Sequence, residues 1–176
     1  MKRLALATII AAALALPAAA VGQTGGSHFT KNGEPLCTDA GTQLRCTAEV
    51  AGLGNETVVA NLQANGTATG LTCTTPSGSN QAPGQNPAVP VTAGGSQTIT
   101  NIKNGRATVD VTTATPTVTP KAAGCPNNNW IVTVADVEFT TYTLTISQGG
   151  VTLFTCTGSF SPSPSSNGQT STPSCT

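Results

Sequence analysis

All six cysteines of this chain lie beyond residue 36, behind an N-terminus with the form of an export signal. Lys2 and Arg3 precede an apolar run from Leu4 to Leu16, broken only by Thr8 and free of charge. Pro17 then leads into Ala18-Ala19-Ala20, the small-residue pattern at which signal peptidase cuts. Residues 1–20 therefore read as a signal peptide, with cleavage near Ala20. A retained anchor is the rival reading, but Leu4–Val21 is barely long enough to span a bilayer and no basic stop-transfer cluster follows it. No cysteine stands at the cut to carry a lipid, and the C-terminus lacks the apolar tail of a glycolipid anchor. The mature chain is expected to be free, secreted and extracellular, where cysteines oxidise and stay oxidised.

The fold must then be one that disulfides can brace. Six cysteines permit fifteen pairings. Their surroundings favour Cys37–Cys46 across a short loop, Cys73–Cys125 from a strand end to the approach of Trp130, and Cys156–Cys175 from the last strand to the tail. In the loop-entropy description these contribute about 2.5, 4 and 3 kcal/mol. Cys175, next to the last residue, also suits a bond to a second molecule. A metal or redox role fits poorly, because there is no Cys-x-x-Cys and the only histidine, His28, lies away from every cysteine.

After cleavage about 156 residues remain, enough for one domain. Lys31, Arg45, Lys103, Arg106 and Lys121 stand against Glu34, Asp39, Glu49, Glu56, Asp110, Asp136 and Glu138, five against seven, for a net charge of −2. No basic stripe exists to release counterions from a phosphate backbone, so nucleic-acid binding is not expected. No basic amphipathic helix suggests a membrane surface, and no membrane insertion is expected once the signal is removed. Thr and Val are plentiful while Leu, Glu, Lys and Met are scarce after the signal, which points to strands.

Along the chain, Val21–Leu36 has no period and reads as a flexible leader. From Gln43 the pattern alternates: Leu44, Cys46, Ala48 and Val50 face one way, Arg45, Thr47 and Glu49 the other, as in a half-buried strand. Gly52-Leu53-Gly54-Asn55 makes a turn. A long β-type stretch, Thr57–Thr74, starts with Val58, Ala60 and Leu62 inward and ends with Leu71 and Cys73 in the opposite phase, so Asn65-Gly66 or Gly70 must supply a bulge or turn. Thr75–Gly95, with four prolines, reads as a loop of about twenty residues, a length more often functional or mobile than not. Strands resume over Gln97–Ile102, and Asn104-Gly105 turns the chain into Ala107, Val109 and Val111, with Asp110 outward. Thr115–Gly124 is a Pro-bearing connection and Trp130–Phe139 the most hydrophobic strand. Thr140–Ser147 and Val151–Phe160 form a hairpin about Gln148-Gly149-Gly150. Residues 161–176 read as a disordered Ser/Pro/Thr-rich tail, held only at Cys175.

Seven or eight strands with turn signals, and no long repeat, imply an all-β fold: a single antiparallel two-sheet sandwich of immunoglobulin-like architecture, disulfide-braced, over residues 37–160. Gly124-Cys125-Pro126-Asn127-Asn128-Asn129-Trp130, Asp136-Val137-Glu138-Phe139 and Gln148-Gly149-Gly150 resemble a group of small secreted bacterial β-sandwich proteins. Gly52-Leu53-Gly54-Asn55 and Asn80-Gln81-Ala82-Pro83-Gly84-Gln85-Asn86-Pro87 look like that group as well. The resemblance implies a bacterial secreted β-domain and transfers no functional residue.

Candidate chemistry is sparse. Asp136 and Glu138 project from one strand face, roughly 7 Å apart, near the separation of paired glycosidase carboxylates, and with Asp110 they would begin a calcium site. An outward polar strand face is the plainer reading. His28 is the only imidazole base for a Ser or Thr nucleophile, and no Gly-x-Ser-x-Gly elbow exists. Trp130, beside Asn127–Asn129, offers a sugar-stacking surface, yet a Trp heading an apolar strand is more often core. The Cys37–Cys46 loop, ending in Leu44-Arg45, has the outline of a protease-inhibitor loop, though Leu44 also belongs to the alternating strand. Thr141, Thr143 and Thr145 align hydroxyls in a row that suits ice or a polymer, or simply reflects strand propensity. Asn55-Glu56-Thr57 and Asn65-Gly66-Thr67 match the glycosylation pattern of eukaryotic secretion.

The reading is a non-catalytic secreted module acting by surface contact, with Thr75–Gly95 as the first binding surface to consider. No catalytic residue, metal ligand or cofactor is assigned, and the partner is an extracellular protein or envelope polymer. A secreted inhibitor or small-ligand carrier is the alternative, and a hydrolase using Asp136 and Glu138 a remote one.

Overall fold

The computed structural model describes residues 26–176; the expected signal peptide and residues 21–25 of the leader lie outside the described residues. The chain is mostly β, in three antiparallel sheets. In the first sheet β3 (Leu44–Ala51) is central. It pairs with β2 (Leu36–Asp39), β1 (His28–Phe29) and β8 (Arg106–Thr112), and β12 (Thr170–Ser171) adds to β2. The second sheet runs β13 (Ser174–Cys175), β11 (Val151–Ser159), β10 (Asp136–Gln148), β4 (Val58–Thr69), β7 (Ala88–Ile99). The third is small: β6 (Gln81–Pro83), β5 (Thr72–Thr74), β9 (Ile131–Thr133). One helical turn, α1 (Pro120–Ala123), starts from the Thr119 cap, whose hydroxyl accepts the Ala122 N–H at 3.2 Å, and ends at Gly124 with φ +69°.

Strand alternation builds the core. Leu44, Cys46, Ala48 and Val50 on β3 are buried with Ala107, Val109 and Val111 on β8, while Arg45, Glu49 and Asp110 stay exposed. On the second sheet Val58, Ala60, Leu62, Ala64 and Ala68 face inward with Val137, Phe139, Tyr142, Leu144 and Ile146, and all of these join one apolar cluster. β10 changes phase between Phe139 and Tyr142 because Thr140 is an extra residue against β4, where the register shifts. Opposite it, a Cβ on Gly66 would lie 2.6 Å from the Glu138 carbonyl oxygen, so Asn65-Gly66 serves the bulge of its partner rather than a turn of its own. The phase change toward Leu71 and Cys73 occurs at Gly70, whose φ of +62° carries the chain out of β4 and into the third sheet.

Several expectations need correction. Thr75–Gly95 is not a long loop, since it holds β6 and two thirds of β7; Pro83 and Pro90 are tolerated because both lie on edge strands, where a missing N–H breaks no ladder. Trp130–Phe139 is not one strand but two, β9 and the start of β10, parting at Val134-Ala135 beside Gly70. The part of the leader that is described is ordered: Phe29 stacks on Phe154 with ring centroids 4.4 Å apart, and the Thr30 N–H donates to the Glu49 carbonyl at 2.9 Å.

Residues 161–176 are likewise no disordered tail. They supply β12 to one large sheet and β13 to the other, and Ser165 is buried. The Tyr142 hydroxyl donates to Ser171 Oγ at 2.9 Å, in the space left because Gly158, directly across the ladder, has no Cβ. Composition suggested disorder here because Ser, Pro and Thr bury little apolar area. What holds this segment is backbone pairing, which composition does not report.

The three disulfides join Cys37 to Cys46, Cys73 to Cys125 and Cys156 to Cys175, the pairing favoured from their surroundings, and no cysteine of the described residues is free. The first and third link residues directly opposite each other on paired strands, with Cα atoms 4.0 Å apart. The second ties β5 to the end of α1, closing a separation of 52 residues. Such bonds are consistent with an oxidising environment. β7 draws the two large sheets together: the Ala114 N–H donates to the Gly94 carbonyl at 2.8 Å, and a Cβ on Gly95 would overlap the Thr112 carbonyl.

Candidate functional site

The carboxylates singled out from sequence are dispersed. Asp136 and Glu138 share a face at the start of β10, both half-buried. Asp110 sits on the first sheet and is held there by Arg45, whose Nε and Nη2 donate to its two carboxylate oxygens at 2.7 Å each. That pair is exposed and lowers the Asp110 pKa, chiefly through the hydrogen bond, but Asp110 does not join Asp136. No group of three or more acidic, His or Cys side chains is arranged to hold a metal among the described residues. His28 is exposed, its Nδ1 2.7 Å from the Gly26 carbonyl oxygen. Trp130 is half-buried and packs against the core cluster. In the β2–β3 hairpin Leu44 is fully buried and the turn is short, so no Leu-Arg pair is displayed there.

The acidic residue that sequence reasoning passed over is Asp39. It is 2% exposed, accepts the Gly41 N–H at 2.8 Å, and accepts the hydroxyl of Ser165. Burial raises its pKa above the usual carboxylate value; the two hydrogen bonds oppose this, and the charge of Asp136 adds to it. Asp136 Oδ1 is itself enclosed without a hydrogen-bond partner among the described residues. A raised folded pKa means the folded state holds the proton more tightly than the unfolded chain. The contribution of Asp39 is therefore fully present below its unfolded pKa, about 3.9, and is lost as pH rises through the higher folded value. Asp39→Asn should remove this term. Thermal melts from pH 3.5 to 7 are expected to show the wild type losing stability relative to the variant as pH rises. A constant difference between the two would disprove the account.

The feature with the clearest surface character is the outer face of the second sheet. β4, β7 and β11 contain no charged residue, and β10 has none beyond Asp136 and Glu138 at one end. Register brings the threonine row into a wider mesh. Thr141 stands opposite Ser159 on one side and Asn65 on the other, with Thr92 beyond; Thr143 is flanked by Thr157 and Gln63; Thr145 by Thr155 and Asn61, with Ser96 beyond. Same-face neighbours recur about every 4.8 Å across strands and about 6.8 Å along them. Asn65 takes a hydrogen bond from Thr92 at 3.0 Å and donates to Thr141 at 3.4 Å, whereas Asn61, Gln63, Thr143, Thr145 and Thr157 make no side-chain hydrogen bond among the described residues. A cleft of about 290 Å³ opens at the Asn65 end, walled by Gly66, Thr67, Pro90, Val91, Thr92 and Thr140. The outer face of the first sheet is unlike it, with Arg45, Glu49, Arg106 and Asp110 exposed on β3 and β8. The row at 141–145 was visible in the sequence; its neighbours were not, because only pairing shows that four strands carry the same chemistry.

Comparison with known proteins finds no matching family model, no similar curated protein and no similar solved structure.

Proposed function

We propose that this chain is an exported bacterial protein, processed near Ala20, whose strands from His28 to Cys175 form a non-catalytic β-sandwich of immunoglobulin-like architecture that acts by surface contact outside the cell. The shared apolar cluster between the two large sheets supports the sandwich. The three disulfides support the compartment. The partner is an extracellular protein or envelope polymer.

The observation that carries the proposal is the uncharged outer face of the second sheet. Solvent-facing sheets normally intersperse charges, which keep a small domain from associating. Here about a dozen neutral hydroxyl and amide groups cover four adjacent strands, and charge is confined to Asp136 and Glu138 at the start of β10. A surface with strong hydrogen-bonding capacity and so few ions suits contact more than solubility. The test is retention on an envelope preparation of the producing organism. Gln63→Glu with Thr143→Glu is expected to lower retention at least tenfold, and Thr108→Glu on the opposite sheet to leave it unchanged. Equal retention of all three proteins would sink the proposal.

A further inference from the structure

We infer that the uncharged face of the second sheet binds an uncharged polysaccharide chain. This rests on the contact reading above and chooses the envelope polymer over the protein partner.

Charge decides first. An anionic polymer or a phosphate-bearing headgroup needs cations opposite it, and β4, β7 and β11 offer none. Apolar partners are disfavoured as well, because the exposed large hydrophobics Leu36, Ile131 and Val151 all lie off this face. Size decides next. Between Ser147 and the start of Glu138, four strands about 4.8 Å apart with three to four same-face residues each give a neutral footprint of roughly 14 by 20 Å between strand positions. A folded partner of standard size buries roughly 800 Å² of accessible surface per side and would reach past this neutral patch toward Asp136 and Glu138. A narrow extended chain fits the area.

Hydrogen-bond chemistry then selects among neutral ligands. Hydroxyl and amide side chains both donate and accept, as do the hydroxyls of a sugar, and a polymer presents those hydroxyls at a repeat. The central row of Asn61, Gln63 and Asn65 is longer than the threonine rows beside it and can take two adjacent hydroxyls on one amide. It also makes the face uneven, which suits a flexible extended chain better than the level lattice of ice. The cleft at the Asn65 end, with the Pro90 ring in its wall, gives one sugar ring an apolar side to rest on. Without aromatic stacking each contact is weak, so retention should grow with chain length.

The experiment is co-sedimentation of the disulfide-intact chain with cellulose, chitin and insoluble mannan, with pectate as anionic control and an ice-recrystallisation assay alongside. Retention on at least one neutral polymer, little changed between 50 and 500 mM salt, is expected. Gln63→Glu with Thr143→Glu should weaken it at least tenfold while the melting temperature falls by only the few degrees that two directly opposed glutamates cost, leaving the chain folded at the assay temperature; Thr108→Glu should bind as wild type. Retention on none of the neutral polymers, binding only to pectate and lost with salt, activity only toward ice, or binding indifferent to the face variants would each overturn the inference. If the face variants reduce envelope retention but no neutral polymer binds, the polysaccharide assignment fails and the contact reading survives. If the variants change neither, both fail.

Discussion

Breaking the Cys73–Cys125 bond by Cys73→Ala and Cys125→Ala together is expected to lower the unfolding free energy by about 4 kcal/mol. For a chain of this size that is a fall in Tm of about 8–16 °C. This bond closes 52 residues, against 9 for Cys37–Cys46 and 19 for Cys156–Cys175, so it removes the most freedom from the unfolded chain. It also holds the weakest part of the structure. The third sheet has three strands of three residues each, and β5 and the end of α1 bury little beyond Leu71, Cys73 and Ala123. Melts by circular dichroism without reductant give the global value, and hydrogen exchange at Thr72–Thr74 and Ile131–Thr133 should lose protection before the large sheets do. A loss below about 1 kcal/mol would show that the cross-link restrains little of the unfolded ensemble.

The variant also separates two parts of the molecule. Gly70 and Ala135 mark where β4 passes to β5 and β9 to β10, so the third sheet hangs from the second at adjacent points. Loosening it should leave the outer face at Asn61–Asn65 and Thr141–Thr145 in place, since those rows are held by the long ladders of β10 with β4 and β11.

What could be read from the residues alone follows from what a local pattern encodes. The alternation at Leu44–Val50 and Ala107–Val111 reports which side chains face the core, and the structure buries those residues. The hairpin about Gly149-Gly150 was equally legible, because two glycines between alternating strands admit few conformations. Pairing between distant segments was not. Thr75–Gly95 looked like a loop because prolines count against central strands, yet an edge accepts them. Residues 161–176 looked disordered because their stabilising contacts are backbone ladders and the Tyr142–Ser171 hydrogen bonds, none of which has a periodic sequence signature. The candidate face shows the same division. The Thr141–Thr145 row is local and visible, whereas its match to Asn61–Asn65 depends on a register that the extra residue at Thr140 resets. Asp39 was missed for a related reason: it is held by a distant segment, accepting the Ser165 hydroxyl from 126 positions away and pairing through its backbone with Gly168 and Gln169.

Phe139→Ala should cost about 3–5 kcal/mol, as large apolar truncations in closed cores do. Phe139 is fully buried and the largest side chain so placed, in a cluster otherwise rich in alanine, valine and leucine. Small neighbours on rigid ladders have little reach to fill the space, so the cavity term is expected to stay near its full size. The site is pinned from the other side too. The Phe139 N–H donates to Ser165 Oγ at 2.8 Å and its carbonyl accepts the Ser165 N–H at 2.7 Å, which fixes β10 at its bulge. Because those bonds use the backbone of residue 139, the variant should keep residues 161–176 docked in the native state while lowering global stability. Denaturant unfolding with an unchanged m-value, and proteolysis after residue 160 no faster than global unfolding allows, would be the signature. Phe139→Leu should lose less than half as much. A loss below about 2 kcal/mol for the alanine variant would mean that β4 and β10 close over the gap. Domains of this kind have only about 5–15 kcal/mol in total. Combining Phe139→Ala with loss of the Cys73–Cys125 bond, in different sheets and so close to additive, is expected to leave the chain largely unfolded at 37 °C.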